Sequence, residues 1–345
     1  MVPLGVNLTP IIVKSVVDLA ALRRCSLAVD AFNVLHQFLA LIRKRDGTPL
    51  MDDEGRVTSH LVGLAFRTTR LIADYQVKPV FVFDGRPHPL KLAEVERRRA
   101  LRRKAEEEYA VAIEADDQAT AFSKAVMTGR LTEDLVEDSK RLLDLLGIPW
   151  VQAPSEGEAQ AAYMACRGDV WGVNSRDYDS LLFGAPRLVR YVTIHGEEWL
   201  PSLGRARRLE PEIIHLNAFL KHHNITREQL VDLAIMVGTD FNDGIRGIGP
   251  KTALRLVKRH GRLEYMPEEV VARLPGNYNE IRRLYLEPDV ADDYRVEVSA
   301  LQEEKLYTFL CDEHSFSKRR VDVIVDRMRR FHKQRRLEEW LTEAV

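Results

Sequence analysis

Cysteine is scarce in this chain: Cys25, Cys166 and Cys311 stand far apart, three thiols among 345 residues. That odd, scattered set excludes a disulfide framework or a thiolate zinc site and fits a reducing compartment. No apolar run reaches the roughly 18 residues that a membrane span requires. The N-terminus also lacks the basic stretch, apolar block and cleavage site of a secretory leader. A soluble, cytoplasmic protein without a membrane partner is expected. An excess of either charge is missing as well. Lys and Arg number 51 against 52 Asp and Glu, a net charge of −1, so any polyanionic partner must be met by a local patch. Walker loops, a Ser-His-Asp order, His-rich zinc spacings, internal repeats and low-complexity segments are absent too.

What is present is 45% apolar and 30% charged residues in a chain long enough for a large core. Short β-branched runs end at polar turns at Ser26–Val29, Pro79–Phe83, Ile148–Gln152, Val170–Val173 and Leu188–Ile194. Helical periodicity lies between most of them, as in Leu61–Tyr75 and Thr132–Leu146, which predicts an α/β fold with a twisted, mostly parallel sheet flanked by helices. From Leu92 to Met127 neither glycine nor proline occurs and Glu, Arg, Ala and Lys dominate, so a helical excursion away from the core is expected. After Pro211 the pattern reads as helical again, with a glycine-punctuated connection from Gly238 to Gly249. Arg327–Arg336 holds six basic residues and no acidic one.

Acidic residues gather where the predicted strands stop. Asp30 ends Ser26–Val29, Asp84 ends the run through Phe83, Glu156 and Glu158 follow Gln152, and Asp177 and Asp179 follow Val173. Asp240 lies in the glycine-punctuated connection. Ligands of open α/β sheets bind outside the carboxyl ends of strands, so these side chains are placed to share one crevice. Structural readings compete: Ser155-Glu-Gly-Glu158 matches a capping box, and Asp84 and Asp177–Asp179 suit ordinary turns. Asp30 resists such a reading, because an ionised carboxylate between Val29 and Ala31 is costly unless paired or metal-bound. Seven crowded carboxylates repel one another unless hard divalent cations join them, and magnesium with oxygen ligands suits phosphodiester hydrolysis.

With those residues in view, the chain resembles the archaeal flap endonucleases of the structure-specific nuclease superfamily. The matching pieces are Ala28-Val-Asp30-Ala, Thr58-Ser-His60-Leu, Lys78-Pro-Val-Phe-Val-Phe-Asp84-Gly, Ala153-Pro-Ser-Glu156-Gly-Glu158-Ala, Asp177-Tyr-Asp179, and Gly238-Thr-Asp240 with Ile245-Arg-Gly-Ile-Gly-Pro-Lys251. The resemblance implies a PIN-like nuclease domain over 1–326, with an arch insertion at about 89–138 and a helix-two-turn-helix at about 227–260. It implies a basic tail over 327–345 that binds a sliding clamp. By resemblance, Asp30, Asp84, Glu156, Glu158, Asp177, Asp179 and Asp240 hold two Mg2+ ions. Lys91 and Arg98 match a basic pair that grips the scissile phosphate. Their seven-residue spacing is close to two helical turns and puts both on one face. A solvated charged helix is the plainer reading of residues 91–104, which carry seven basic and two acidic side chains.

Gly247-Ile-Gly249-Pro-Lys251 offers backbone N–H groups at a helix start, and Lys251 and Lys258 are phosphate partners by the same resemblance, with K+ sometimes bound there. Gln334, Leu337, Trp340 and Leu341 match the clamp-binding segment, although the family pattern has an aromatic where Leu341 stands. Two more departures are Met1-Val-Pro-Leu ahead of Gly5 and His36 where relatives place a base-stacking tyrosine. The implied protein is a monomer that cuts branched DNA at the base of a 5′ flap, with 5′–3′ exonuclease activity, in lagging-strand maturation and base excision repair. A nuclease of the same superfamily for gaps, bubbles or junctions, or a non-catalytic DNA- or clamp-binding scaffold, is the alternative.

Overall fold

The computed structural model describes residues 5–343 apart from 45, 116, 118, 119, 121, 122, 126, 127, 194, 195 and 201–204; for 196–200, 205–208 and 336–343 it describes the backbone alone. Among these residues nine strands form two sheets. In chain order the strands are β1 (Ser15–Val16), β2 (Ser26–Asp30), β3 (Lys78–Phe83), β4 (Trp150–Gln152), β5 (Gly172–Asn174), β6 (Arg187–Arg190), β7 (Gly196–Leu200), β8 (Arg205–Leu209) and β9 (Glu212–His215). The main sheet runs β1-β9-β6-β5-β2-β3-β4, and β7 and β8 pair as a separate hairpin. From β4 to β6 every pairing is parallel; β9 and β1 close the far edge antiparallel. The mostly parallel α/β sheet expected from the periodicity is therefore what forms.

Side-chain alternation explains why helices cover both faces. Leu27 and Val29 of β2 and Phe81 and Phe83 of β3 pack into one buried cluster, while Ala28, Val80 and Val82 enter the cluster on the other face. Successive strand residues point to opposite sides, so a strand apolar on both sides demands cover on both. The strand order reverses direction at β2, since β3 and β4 lie on one side of it and β5, β6 and β9 on the other. Such a reversal opens a crevice at the carboxyl ends of the central strands.

Several expectations change. Residues 212–215, read as the start of a helical region, form β9, and only from Leu216 to His223 does a helix follow. Edge pairing decides this, because Ile213 and Ile214 are buried opposite Val189 and Leu188. The helix beginning at Leu92 ends at Glu114 rather than continuing to Met127. Only Ala105 and Ala112 of that helix are buried, in keeping with an excursion from the core. The boundary drawn between 326 and 327 falls inside one helix, Lys318–Glu343. Val321, Ile324, Val325, Met328 and Phe331 bury one stripe of it against the core, and Arg329, Arg330 and Lys333 lie on the outer face of a packed helix.

The helices Arg227–Val237 and Pro250–His260 flank the Gly238–Gly249 connection. The first begins with a capping box between Thr226 and Gln229. It is anchored by Asp232, which accepts from Arg282 Nε at 2.7 Å and from the Leu263 N–H at 3.3 Å. Asp232 is nearly inaccessible to solvent, so removing its carboxylate strands a guanidinium and a backbone donor together. Asp232→Ala is expected to destabilise the protein by about 3 kcal/mol, measured by guanidinium unfolding. Asp232→Asn, which keeps an acceptor, is expected to lose less.

Candidate active site

Six of the seven acidic side chains stand at or follow a strand end, and Asp240 comes from the connection after the Arg227–Val237 helix. Asp30 closes β2 and caps the Ala31–Leu41 helix, its Oδ1 accepting from the Asn33 N–H at 3.0 Å. Asp84 follows β3 and caps a different helix, Gly157–Arg167, through the Gly157 N–H at 2.7 Å. The proposed Ser155–Glu158 capping box does not form: Glu156 occupies the N-cap position with no side-chain cap bond. Asp84 supplies that bond from the neighbouring strand, and a Cβ on residue 157 would lie 2.6 Å from its Oδ1, which accounts for Gly157. A carboxylate at a helix start is stabilised by free N–H groups and the helix dipole.

The remaining acids come from β5 and from two distant segments. Asp177 Oδ2 accepts from Asn33 Nδ2 at 2.8 Å, and Asp30 Oδ2 accepts from Ser175 Oγ at 3.2 Å. Asp179 opens the Asp179–Leu182 turn of helix and accepts from the Val6 N–H at 2.9 Å. Asp240 Oδ1 accepts from Arg98 Nη2 at 2.8 Å and from the Gly5 N–H at 3.2 Å. Lys91 reaches Asp240 Oδ2 at 3.3 Å and pairs directly with Glu156. Lys91 closes the Pro89–Lys91 turn ahead of the Leu92–Glu114 helix that carries Arg98, and the two share Asp240 as a partner.

Gly5, the first described residue, lies directly on the site. Its φ is +68°, and a Cβ there would sit 2.6 Å from Asp179 Oδ2, so only glycine lets the chain enter between Asp179 and Asp240. Residues 1–4 lie outside the described residues.

The seven carboxylates act on one another electrostatically. Burial, the largest cause, pushes Asp30 up to about 6, and burial together with the neighbouring acids pushes Asp84 up to about 6 and Asp179 up to about 7. Burial and the charges of Asp179 and Asp30 hold Glu158 and Asp177 well above the carboxylate range. Glu156 is raised by burial against the opposing pull of Lys91. Asp240 alone goes down: burial would raise it, but Lys91 and Arg98 more than offset that.

Among the described residues no trio of acidic, histidine or cysteine side chains is already drawn in to the distances of a metal cage. The donor set nonetheless fits hard cations. Every donor is a carboxylate oxygen, and Glu158 Oε1 is buried without any hydrogen-bond partner.

The other sequence-derived residues lie around this centre. His36 is solvent-exposed by area yet crowded, and that crowding, with Arg102 and Arg98 close by, lowers its pKa to about 4. Gly249 caps the Pro250–His260 helix, and a Cβ on Gly247 or Gly249 would meet nothing within 4 Å, leaving that backbone open to approach. Lys251 and Lys258 are exposed on the same helix. Gln334 is exposed on the last helix, whereas the side chains of Leu337, Trp340 and Leu341 lie outside the described residues. Sequence reasoning missed Asn33 and Ser175. Their only signal was position, one in the first helical turn after Asp30 and the other just after β5.

A raised folded-state pKa means stability that is fully present below the unfolded value and is lost as pH rises through the folded one. For Asp179 the window runs from the ordinary 3.8 to about 7. Asp179→Asn, which retains an acceptor for the Val6 N–H, is therefore expected to raise the unfolding temperature at pH 8 in chelator by roughly 2–4 °C. At pH 4 the two proteins should melt together. Calorimetric scans at both pH values test this, and equal melting at pH 8 would contradict it.

Comparison with known proteins gives concordant results. The family model of the XPG N-terminal domain matches residues 5–105 and that of the XPG I-region matches residues 147–240. Flap endonuclease 1 of Aeropyrum pernix is 48% identical over 355 residues, covering 98% of this chain and 99% of that relative. The solved flap endonuclease-1 from Methanococcus jannaschii superposes with a TM-score of 0.76 at 38% identity, over 96% of this chain and 100% of that one. The catalytic core of Rad2 in complex with DNA substrate shares the fold, with a TM-score of 0.67 at 22% identity over 91% of this chain and 96% of that one. With its N-terminal and I-region portions joined in one sheet and its relatives matched over nearly their full length, the chain belongs to the flap endonuclease family of XPG nucleases.

Proposed function

We propose that this chain is a structure-specific 5′ flap endonuclease, with 5′–3′ exonuclease activity, that hydrolyses one phosphodiester at the flap base with two Mg2+ ions. The observation that carries this reading is the meeting of Asp30, Asp84, Glu156, Glu158, Asp177, Asp179 and Asp240 beneath the cationic ends of Lys91 and Arg98. Bound there, the ions supply positive charge to the attacking and leaving oxygens of an in-line displacement. Glu158, with its unpartnered Oε1, is the side chain with most to gain from a cation.

Lys91 and Arg98 have the roles of phosphate clamps. Both are ion-paired with Glu156 or Asp240, and a scissile phosphate offers each the same charge-assisted hydrogen bonds once a cation takes up the acids. The excursion that begins with the Pro89–Lys91 turn and the Leu92–Glu114 helix forms an arch, extending to about residue 138, through which the single strand passes. His36, beside Arg98 and Arg102, stacks on a base near the cut as a neutral ring. Gly247, Gly249, Lys251 and Lys258 hold duplex phosphates, with K+ at the open glycine turn. The helix end from Gln334 through Leu337, Trp340 and Leu341 docks on a sliding clamp. The enzyme acts as a monomer in lagging-strand maturation and base excision repair.

The test is cleavage of a labelled 5′ flap, a bubble and a four-way junction side by side, with and without Mg2+. The flap should be cut fastest and only with Mg2+, and Asp179→Ala should abolish cutting. Lys91→Ala and Arg98→Ala should each lower the rate at saturating DNA by about 100- to 1,000-fold, non-additively because both act on one phosphate. Near-normal cutting by a folded Asp179→Ala protein would sink the cation assignment, and a preference for the junction would sink the flap assignment. Flap affinity should also fall linearly with salt on logarithmic axes, as phosphate contacts require; a flat salt profile would remove the backbone-contact reading.

A further inference from the structure

Two neutral side chains are joined to the acidic cluster from opposite elements. Asn33, in the first turn of the Ala31–Leu41 helix, donates Nδ2 to Asp177 Oδ2 at 2.8 Å. Its Oδ1 accepts from the Arg176 N–H at 3.4 Å and from Gln37 Nε2. Those donors fix the amide, so the NH2 must face Asp177. Ser175 is buried, accepts from the Asp177 N–H at 3.2 Å, and donates to Asp30 Oδ2. Ser175 thus ties the Asp30 carboxylate of β2 to the backbone of Asp177.

We propose that Asn33 and Ser175 are the positioning residues of this site: without contacting the cation, they set the spacing of Asp30 and Asp177 that a divalent cation requires. A hydroxyl that donates to Asp30 while accepting from the Asp177 N–H keeps the two acids near each other, where their own repulsion would drive them apart. The Asn33 amide does the same between Asp177 and the helix that Asp30 caps. No lysine or arginine touches these two acids in a hydrogen bond or ion pair among the described residues, whereas Glu156 pairs with Lys91, and Asp240 with Lys91 and Arg98. The two halves of the cluster are therefore ordered differently, one by cations of the protein and one by neutral hydrogen bonds.

The proposal rests on the divalent-cation reading above, and the experiment separates the two. Chelator-treated wild type, Ser175→Ala, Ser175→Thr and Asn33→Ala are titrated with MgCl2 alone, without DNA, and the rise in unfolding temperature is followed. The Mg2+ concentration giving half the rise should increase about 10-fold in Ser175→Ala and Asn33→Ala and stay near wild type in Ser175→Thr. Flap cleavage should be impaired more at low than at saturating Mg2+. Wild-type Mg2+ response in both alanine variants overturns the positioning role, as does a folded Ser175→Thr protein as impaired as Ser175→Ala. A wild type with no Mg2+ response overturns the cation reading and this proposal with it. Near-UV circular dichroism in chelator checks the fold, and the half-buried Asn33 decides the matter if the Ser175 variants do not fold.

Discussion

Like charges gathered out of water govern this structure. Asp30 and Asp179 are almost wholly buried, and the other five acids stand close enough to alter their ionisation or one another's. No single counter-charge balances such a group. The chain spreads the compensation: two helix starts serve Asp30 and Asp84, backbone N–H groups of Gly5 and Val6 serve Asp240 and Asp179, and Lys91 and Arg98 serve Glu156 and Asp240. Only where both cations converge, at Asp240, does the pKa fall below the usual carboxylate range. Everywhere else burial and repulsion prevail, and the fold carries an electrostatic strain that a doubly charged cation relieves.

The topology makes the gathering possible. Parallel strands all end on the same side of the sheet, so residues ending β2, β3, β4 and β5 share one rim although more than a hundred positions separate the first from the last. Reversal of strand order at β2 opens a gap there, and the segment entering at Gly5 meets the Gly238–Gly249 connection beside it through the Gly5 N–H on Asp240. The exposed Leu92–Glu114 helix meets this rim through Arg98, with Lys91 just ahead of its first residue. Its low apolar content, which denies it a place in the core, leaves it bound to the site by ion pairs through Lys91 and Arg98. Contacts of that kind can be exchanged for a phosphate without disturbing the core.

Strand ends were the most legible feature of the chain, because a β-branched run stopping at an aspartate carries both its element and its placement. The seven-residue spacing of Lys91 and Arg98 pointed to their joint placement just as directly. Local patterns failed where long-range contacts decide. Glu212–His215 became a strand only because an edge of the sheet was free to pair with it. Arg327–Arg336 read as a basic tail until Met328 and Phe331 found the core beneath. The Ser155–Glu158 spacing fitted a capping box, yet a carboxylate from another strand took the cap.

By itself the sequence determined which residue types stand at the strand ends, the α/β class, and a motif set specific enough to give the family. These follow from spacing and alternation, which are local properties of a chain. Tertiary structure alone decided the partners: Asp84 on the Gly157 N–H, Gly5 between Asp179 and Asp240, Asn33 on Asp177, and Ser175 between Asp30 and the Asp177 N–H. A hydrogen bond forms wherever packing brings donor and acceptor within about 3 Å in a good direction, and sequence separations from 73 to 235 residues at the first two contacts encode no such distance.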